Sequence, residues 1–219
     1  MREIAIAVDG PGSSGKGTVA RRVAEVLGYQ LVDTGTMYRT VGLFVLRAGE
    51  DVRDEAACAR IAASIQFRFA FAGGALSIEA NGEDVSAEIR GEAVGAAASA
   101  VAVHPGVRSA LLGLQRSLAG HGGVVMDGRD IGTVVLPNAE LKIYLDASLD
   151  ERARRRWKEH EERSFEAVKE ELAARDYQDT HRAVAPLRCA DDAIRIDSTG
   201  LTIEAVVKHI VALARALRA

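Results

Sequence analysis

Nine residues near the amino terminus, Gly10, Pro11, Gly12, Ser13, Ser14, Gly15, Lys16, Gly17 and Thr18, limit the folds open to this chain more than any other stretch. The apolar, β-branched run EIAIAV before them reads as a buried strand. After them Val19, Ala20, Val23, Val26 and Leu27 recur at helical spacing until Gly28. Strand, glycine-rich loop and helix, in that order, is the setting in which G-x-x-x-x-G-K-[ST] cradles phosphate. One position departs from the pattern: Gly17 follows Lys16, and the hydroxyl arrives one place late, at Thr18. The physics tolerates this. Glycines let the backbone approach an anion closely, and N–H groups at a helix start point at its oxygens. Lys16 adds a charge for the outer phosphates. Mg²⁺ usually keeps several waters, so its hydroxyl ligand can be a neighbour such as Thr18 or a water.

Downstream, YQLVD, GVVMD, LKIYLD and AIRID read as further strands, interleaved with helical stretches, which indicates an α/β fold with a parallel sheet flanked by helices. One segment breaks the rhythm. From Ile65 to about Ile89 apolar and polar residues alternate around AGGA and NGED turns, the signature of an antiparallel insert. Ser148 and Glu151 suggest a capping box opening a charged helical stretch that breaks near ERSF. Lys and Arg total 28 against 31 Asp and Glu, a net charge of −3, which gives no footprint for nucleic acid. Cys58 and Cys189 form no metal or disulfide pattern. The amino-terminal apolar run is too short to span a membrane and lacks a secretory cleavage pattern, so the expectation is a cytoplasmic protein with no membrane contact. No coiled-coil or interface pattern stands out, which points to a monomer.

Phosphoryl transfer requires in-line geometry and a cationic clamp more than covalent chemistry. Four clusters could supply the clamp. DTGTMYR places Thr34 and Arg39 after the second strand, and MDGRDIGTVV places Arg129 and Asp130 after a third, at the sheet edge where α/β folds bind ligands. In RDYQDTHR, residues Arg175, Asp179 and Arg182 share a helical face, as do Arg152, Arg155 and Arg156 in ERARRRWK. A solvated, salt-bridged helix is the plainer reading of the last two clusters. Asp127 is either a second acid for a metal or a turn residue before Gly128.

DGPGSSGKGT, DTGTMYR, SAVAVHPGVRSALLGLQR, MDGRDIGTVV, KIYLDAS with ERARRR, RDYQDTHRAVAPL and DST, in this order, resemble the bacterial cytidylate kinase family over nearly the whole chain. The resemblance implies an enzyme that moves the γ-phosphoryl group of ATP to CMP or dCMP with Mg²⁺. The implied fold is a P-loop kinase: a core of about 1–60, 105–150 and 190–219, a CMP-binding lobe of about 61–104 carrying the insert at about 65–89, and a mobile lid of about 155–175. It implies that Gly10 to Thr18 cradle the ATP phosphates, with Lys16 following the transferred group. Thr34, Arg39 and Arg129 would hold the CMP phosphate. Ser99, Arg108 and Asp130 would read the base with Arg182 beside them, and Arg175 and Asp179 would hold the sugar. Arg152 and Arg156 would be lid arginines near the γ-phosphate, making Lys16, Arg129 and Arg156 the catalytic set. Asp127, as a group behind the metal, and Thr18 would serve Mg²⁺. Two positions depart from the family: Thr34 stands where serine is frequent, and Gln178 where arginine is. Other kinases, for adenylate or shikimate, share the loop but not the insert or the acid–arginine set. A GTP switch would need N-K-x-D, which is absent.

Overall fold

The computed structural model describes residues 3–72, 75–120, 122–159 and 162–218. Five strands run parallel at its centre: β1 (Ala5–Asp9), β2 (Gln30–Asp33), β6 (Val124–Gly128), β7 (Leu141–Asp146) and β8 (Ile194–Asp197). They lie in the order β2-β6-β1-β7-β8. β3 (Phe67–Ala72), β4 (Ala75–Ala80) and β5 (Glu83–Asp84) form the expected antiparallel insert. The insert does not stand apart, because β4 joins the sheet edge through a single parallel pairing of Leu31 with Ala75. Asn81 (φ 54°) and Gly82 (φ 84°) make the tight turn read from NGED. The turn read at AGGA involves Gly73 and Gly74, which lie outside the described residues.

Side-chain alternation along the strands sorts the core onto two faces. Ile6, Val8, Leu31, Val125, Ile143 and Leu145 face one way and are covered by α1 (Lys16–Leu27) and α8 (Ile203–Arg218). Ala7, Val32 and Met126 face the other way, under α2 (Thr34–Arg47), α3 (Glu55–Ser64), α4 (Glu92–Val101) and α5 (Pro105–Ala119). A third, small cluster of Ala153, Val168 and Leu172 pins α6 (Leu149–Trp157) to α7 (Phe165–His181), apart from both faces. No helix among the described residues is long and apolar enough to cross a membrane.

Two local expectations are corrected. Ser148 Oγ accepts the Glu151 N–H at 3.3 Å, but the Ser148 N–H donates to Thr199 Oγ1, and the Glu151 carboxylate pairs with Arg154 and Arg155 instead. Only half of the capping box forms, because nearby arginines outcompete a backbone donor. Arg182 also lies just beyond its helix, which ends at His181, with extended backbone angles of φ −61° and ψ 142°.

At Gly10 the chain bends from β1 into the loop with φ 153°, and a Cβ there would lie 2.0 Å from the Leu145 carbonyl oxygen. Gly10→Ala is therefore expected to push β1 away from β7. Overpacking of this kind costs about 1–3 kcal/mol or more. Thermal unfolding would read this as a fall in Tm; an unchanged Tm would mean that the loop yields freely.

Candidate active site

The carboxyl ends of β1, β2 and β6 finish together, with Asp9 beside Gly128 and Asp33 beside Asp127. Above them opens a cleft of about 320 Å³. Its floor includes Gly12, Ser13, Lys16 and Gly17, its walls Thr34, Arg39, Ser99 and Arg108, and its far side Asp127, Arg129 and Asp130. Arg156 of α6, Arg175 and Asp179 of α7 and Arg182 just beyond α7 complete the lining. Fifteen of the candidate residues read from loop, turn and lid thus share one cavity.

 Gly10, Pro11, Ser14 and Gly15 form the loop behind it, and Thr18 is exposed on α1 and does not line the cleft.

The charges in the cleft explain one another. Lys16 is buried, and its ammonium donates to the Pro11 carbonyl at 3.2 Å. Burial, with Arg129 as a like charge, holds its pKa well below the ordinary lysine range, against the pull of Asp127. Burial likewise pushes the Asp127 carboxyl up, against Lys16. Asp127 Oδ1 is buried without a hydrogen-bond partner. Its Oδ2 lies 3.3 Å from where a Cβ on Gly17 would sit, so a side chain after Lys16 would press on this carboxylate. That contact accounts for the glycine that displaces the loop's hydroxyl.

Arg129 donates from Nε to Asp179 at 2.9 Å and from Nη1 to the Gly128 carbonyl at 3.2 Å. Burial acts against its charge, but Asp179, with Asp127 and Asp33, outweighs that and holds its pKa above the ordinary value. Arg175 lacks such support. Its Nε is buried without a partner, and burial with the like charge of Arg129 depresses its pKa. Arg39 is held by the Ile89 carbonyl at 2.9 Å. Lys16, Arg39, Arg129, Arg156 and Arg175 face this cavity with Arg108 and Arg182, seven cations against the five acids Asp33, Asp127, Asp130, Glu171 and Asp179, and the excess of positive charge suits an anionic ligand.

Deeper in, Asp130 is clamped on both oxygens, by Arg108 on Oδ2 and by Arg182 on Oδ1 at 3.2 Å, and all three side chains are buried. Arg108 also lies over the Tyr38 ring, 5.4 Å from its centroid. Ser99 Oγ donates to the Gly95 carbonyl, while Gln178 Nε2 donates to the Ser99 carbonyl at 2.9 Å and so joins α7 to α4.

The arginines of α6 differ from expectation. Arg152 does not enter the cleft. Its buried guanidinium donates to the carbonyls of Ala147 and Gly12 and pairs with Asp176 at 2.6 Å. Arg155 grips the loop from the same side, donating to the Ser14 carbonyl at 3.1 Å and to both oxygens of Ser198. Only Arg156 turns into the cleft. Three residues escaped sequence reading: Asp9, whose carboxylate accepts the N–H groups of Ile131 and Gly132, and the cleft residues Asp33 and Tyr38. Tyr38 was detectable, one helical turn after Thr34. Asp33 was detectable as the last residue of an apolar strand.

A family model described as cytidylate kinase matches residues 6–216. Among curated relatives, a cytidylate kinase from Geobacillus kaustophilus is 50% identical over 213 residues, covering 95% of each chain. One from Streptococcus suis is 51% identical over 215 residues, covering 96% of each. Among solved structures, a gluconokinase from Sinorhizobium meliloti superposes with a TM-score of 0.52 at 14% identity, over 98% of this chain and 93% of its own. An uncharacterized protein from Eubacterium ventriosum superposes at 0.56 and 12% identity, over 97% and 99%. At such identities the structural neighbours speak for the fold alone.

Proposed function

The chain belongs to the cytidylate kinase family and is an ATP-dependent kinase of CMP and dCMP, and we propose that the cleft residues divide this work as follows. The observation that carries the assignment is Asp130, buried between Arg108 and Arg182 at the end of a cavity lined by five further cations. A carboxylate is the natural acceptor for the N4 amine of cytosine. It has about four lone-pair sites, so two arginines leave it room for the base. Uracil presents a carbonyl there, and a site built around a donor rejects an analogue lacking it.

Gly10 to Thr18 hold the ATP phosphates, and Lys16 follows the transferred group. Thr34, Arg39 and Arg129 hold the CMP phosphate, Ser99 and Arg108 support the base, and Arg175 and Asp179 take the sugar. Arg156 neutralises charge on the moving group. No general base is needed, because the attacking phosphate oxygen is already largely ionised (second pKa about 6). The segments of about 61–104 and about 155–175 act as CMP lobe and lid, closing to exclude water. Support comes from the separate α6–α7 cluster and from its ties to α4 through Gln178 and through Arg163 with Glu92.

The unpartnered Oδ1 of Asp127 fits a hard divalent cation, and no group of three or more His, Cys, Asp or Glu among the described residues could hold a metal unaided. This suits Mg²⁺ arriving on the nucleotide with most of its waters. Asp127 would hold it directly or through water. Thr18, exposed on α1, is not needed for this. Bound Mg²⁺ supplies charge neutralisation on the β- and γ-phosphates. We read the protein as a cytoplasmic monomer. Cys58 and Cys189 are free thiols, and the exposed Val26, Leu46, Tyr177 and Leu217 sit on four different helices.

A crossed pair of variants tests the two halves. Arg155→Ala unpins the loop and is expected to raise KM for ATP about tenfold, the effect of losing about 1.4 kcal/mol of charged hydrogen bonding. Arg39→Ala is expected to raise KM for CMP by a similar factor of about ten and leave that for ATP near its original value. The reverse pattern in initial-rate kinetics would overturn the division.

A further inference from the structure

We propose that Asp9 is a positioning residue for phosphoryl transfer, locking the turn that carries Arg129 and Asp130 to the strand end from which the phosphate loop springs. The proposal rests on the roles given above to Arg129 and Asp130. Asp9 does not line the cleft, and it is buried at 5% exposure. Its Oδ1 accepts the Ile131 N–H at 2.8 Å and its Oδ2 the Gly132 N–H at 2.7 Å. These are the opening donors of the π-helical turn Ile131–Val135, which starts directly after Asp130. Donors at such a start have no partner within the turn itself.

The β1–β6 ladder ends where Asp9 stands beside Gly128. Beyond that point the chains diverge, one into Gly10 and the donor loop, the other into Arg129, Asp130 and the acceptor site. The Asp9 carboxylate spans this divergence with two charge-assisted bonds and so sets donor against acceptor. Gly132 is wedged against the contact: a Cβ there would lie 3.3 Å from Asp9 Oδ2 and 3.2 Å from Lys142 Cδ. Lys142 has little freedom to retreat, because its ammonium is held by the Pro137 carbonyl and by Asp192.

Asparagine is the discriminating replacement. It offers one oxygen and one NH₂, so one of the two N–H groups would face a donor. In Asp9→Asn, kcat with CMP is expected to fall about 100-fold, as for a misplacement of about 1 Å. The CMP-to-UMP ratio of kcat/KM is expected to fall at least about fivefold, because the base reader shifts with its turn. That ratio is independent of the fraction of enzyme folded, so mere instability would leave it unchanged. Gly132→Ala presses on the same contact without altering charge and should lower the ratio in the same direction; it decides the matter if Asp9→Asn does not fold. A ratio equal to that of the unaltered enzyme in the folded variants would overturn the proposal. Equal efficiency of the unaltered enzyme on CMP and UMP would instead overturn the reading of Asp130, and this proposal with it.

Discussion

Changing Asp130 to asparagine is expected to cost both specificity and stability. The carboxylate is sandwiched between Arg108 and Arg182, and both guanidiniums are buried. An amide can accept from only one of them, and its NH₂ would face the other. Removing one partner of a buried ion pair leaves an uncompensated charge, at a cost of about 3–5 kcal/mol. For a chain of this size each kcal/mol lowers Tm by about 2–4 °C, so calorimetry should show a drop of roughly 10 °C. The preference for CMP over UMP should shrink by about one to two orders of magnitude, the worth of a base contact of 1–3 kcal/mol. A variant that melts near the original temperature and keeps its preference would remove Asp130 from the base site.

Lys16→Met should have the opposite profile. Burial already disfavours the Lys16 ammonium, so a thioether of similar length relieves a desolvation cost that offsets the attraction Asp127 loses, and Tm should change little. What disappears is a preorganised charge aimed at the moving phosphoryl group. Losing one such group typically lowers kcat by about 10²–10³. Stopped-time assays at saturating ATP and CMP would measure this. A kcat within a few-fold of the original would mean that the loop's backbone N–H groups suffice.

The two variants show how far the sequence carries. Asp130 and Arg182 were identified in separate motifs, DGRD and RDYQDTHR, and the structure brings them to 3.2 Å. RDYQDTHR occupies the last turns of α7, where helical spacing aligns its charges, whereas DGRD closes a strand whose end the apolar pattern marks. The parallel sheet was legible for the same reason, its buried strands being short apolar runs. What stayed hidden depends on contacts between a side chain and distant backbone, which leave no periodicity. Arg152 and Arg155 read as one charged face, yet they reach the carbonyls of Gly12 and Ser14, well over a hundred residues away. Asp9 ends β1 just ahead of the phosphate loop, and only the path of the chain after β6 reveals the two N–H groups it satisfies. Gln178, a departure from the family pattern, turns out to tie α7 to α4 through the Ser99 carbonyl.

The most direct test is ADP release from Mg·ATP with CMP, dCMP, UMP, AMP or no acceptor in parallel. Release driven by CMP and dCMP, weak with UMP or AMP and negligible without an acceptor, is the expected result. ADP release at the same rate whether or not a monophosphate is present would contradict the acceptor site described here.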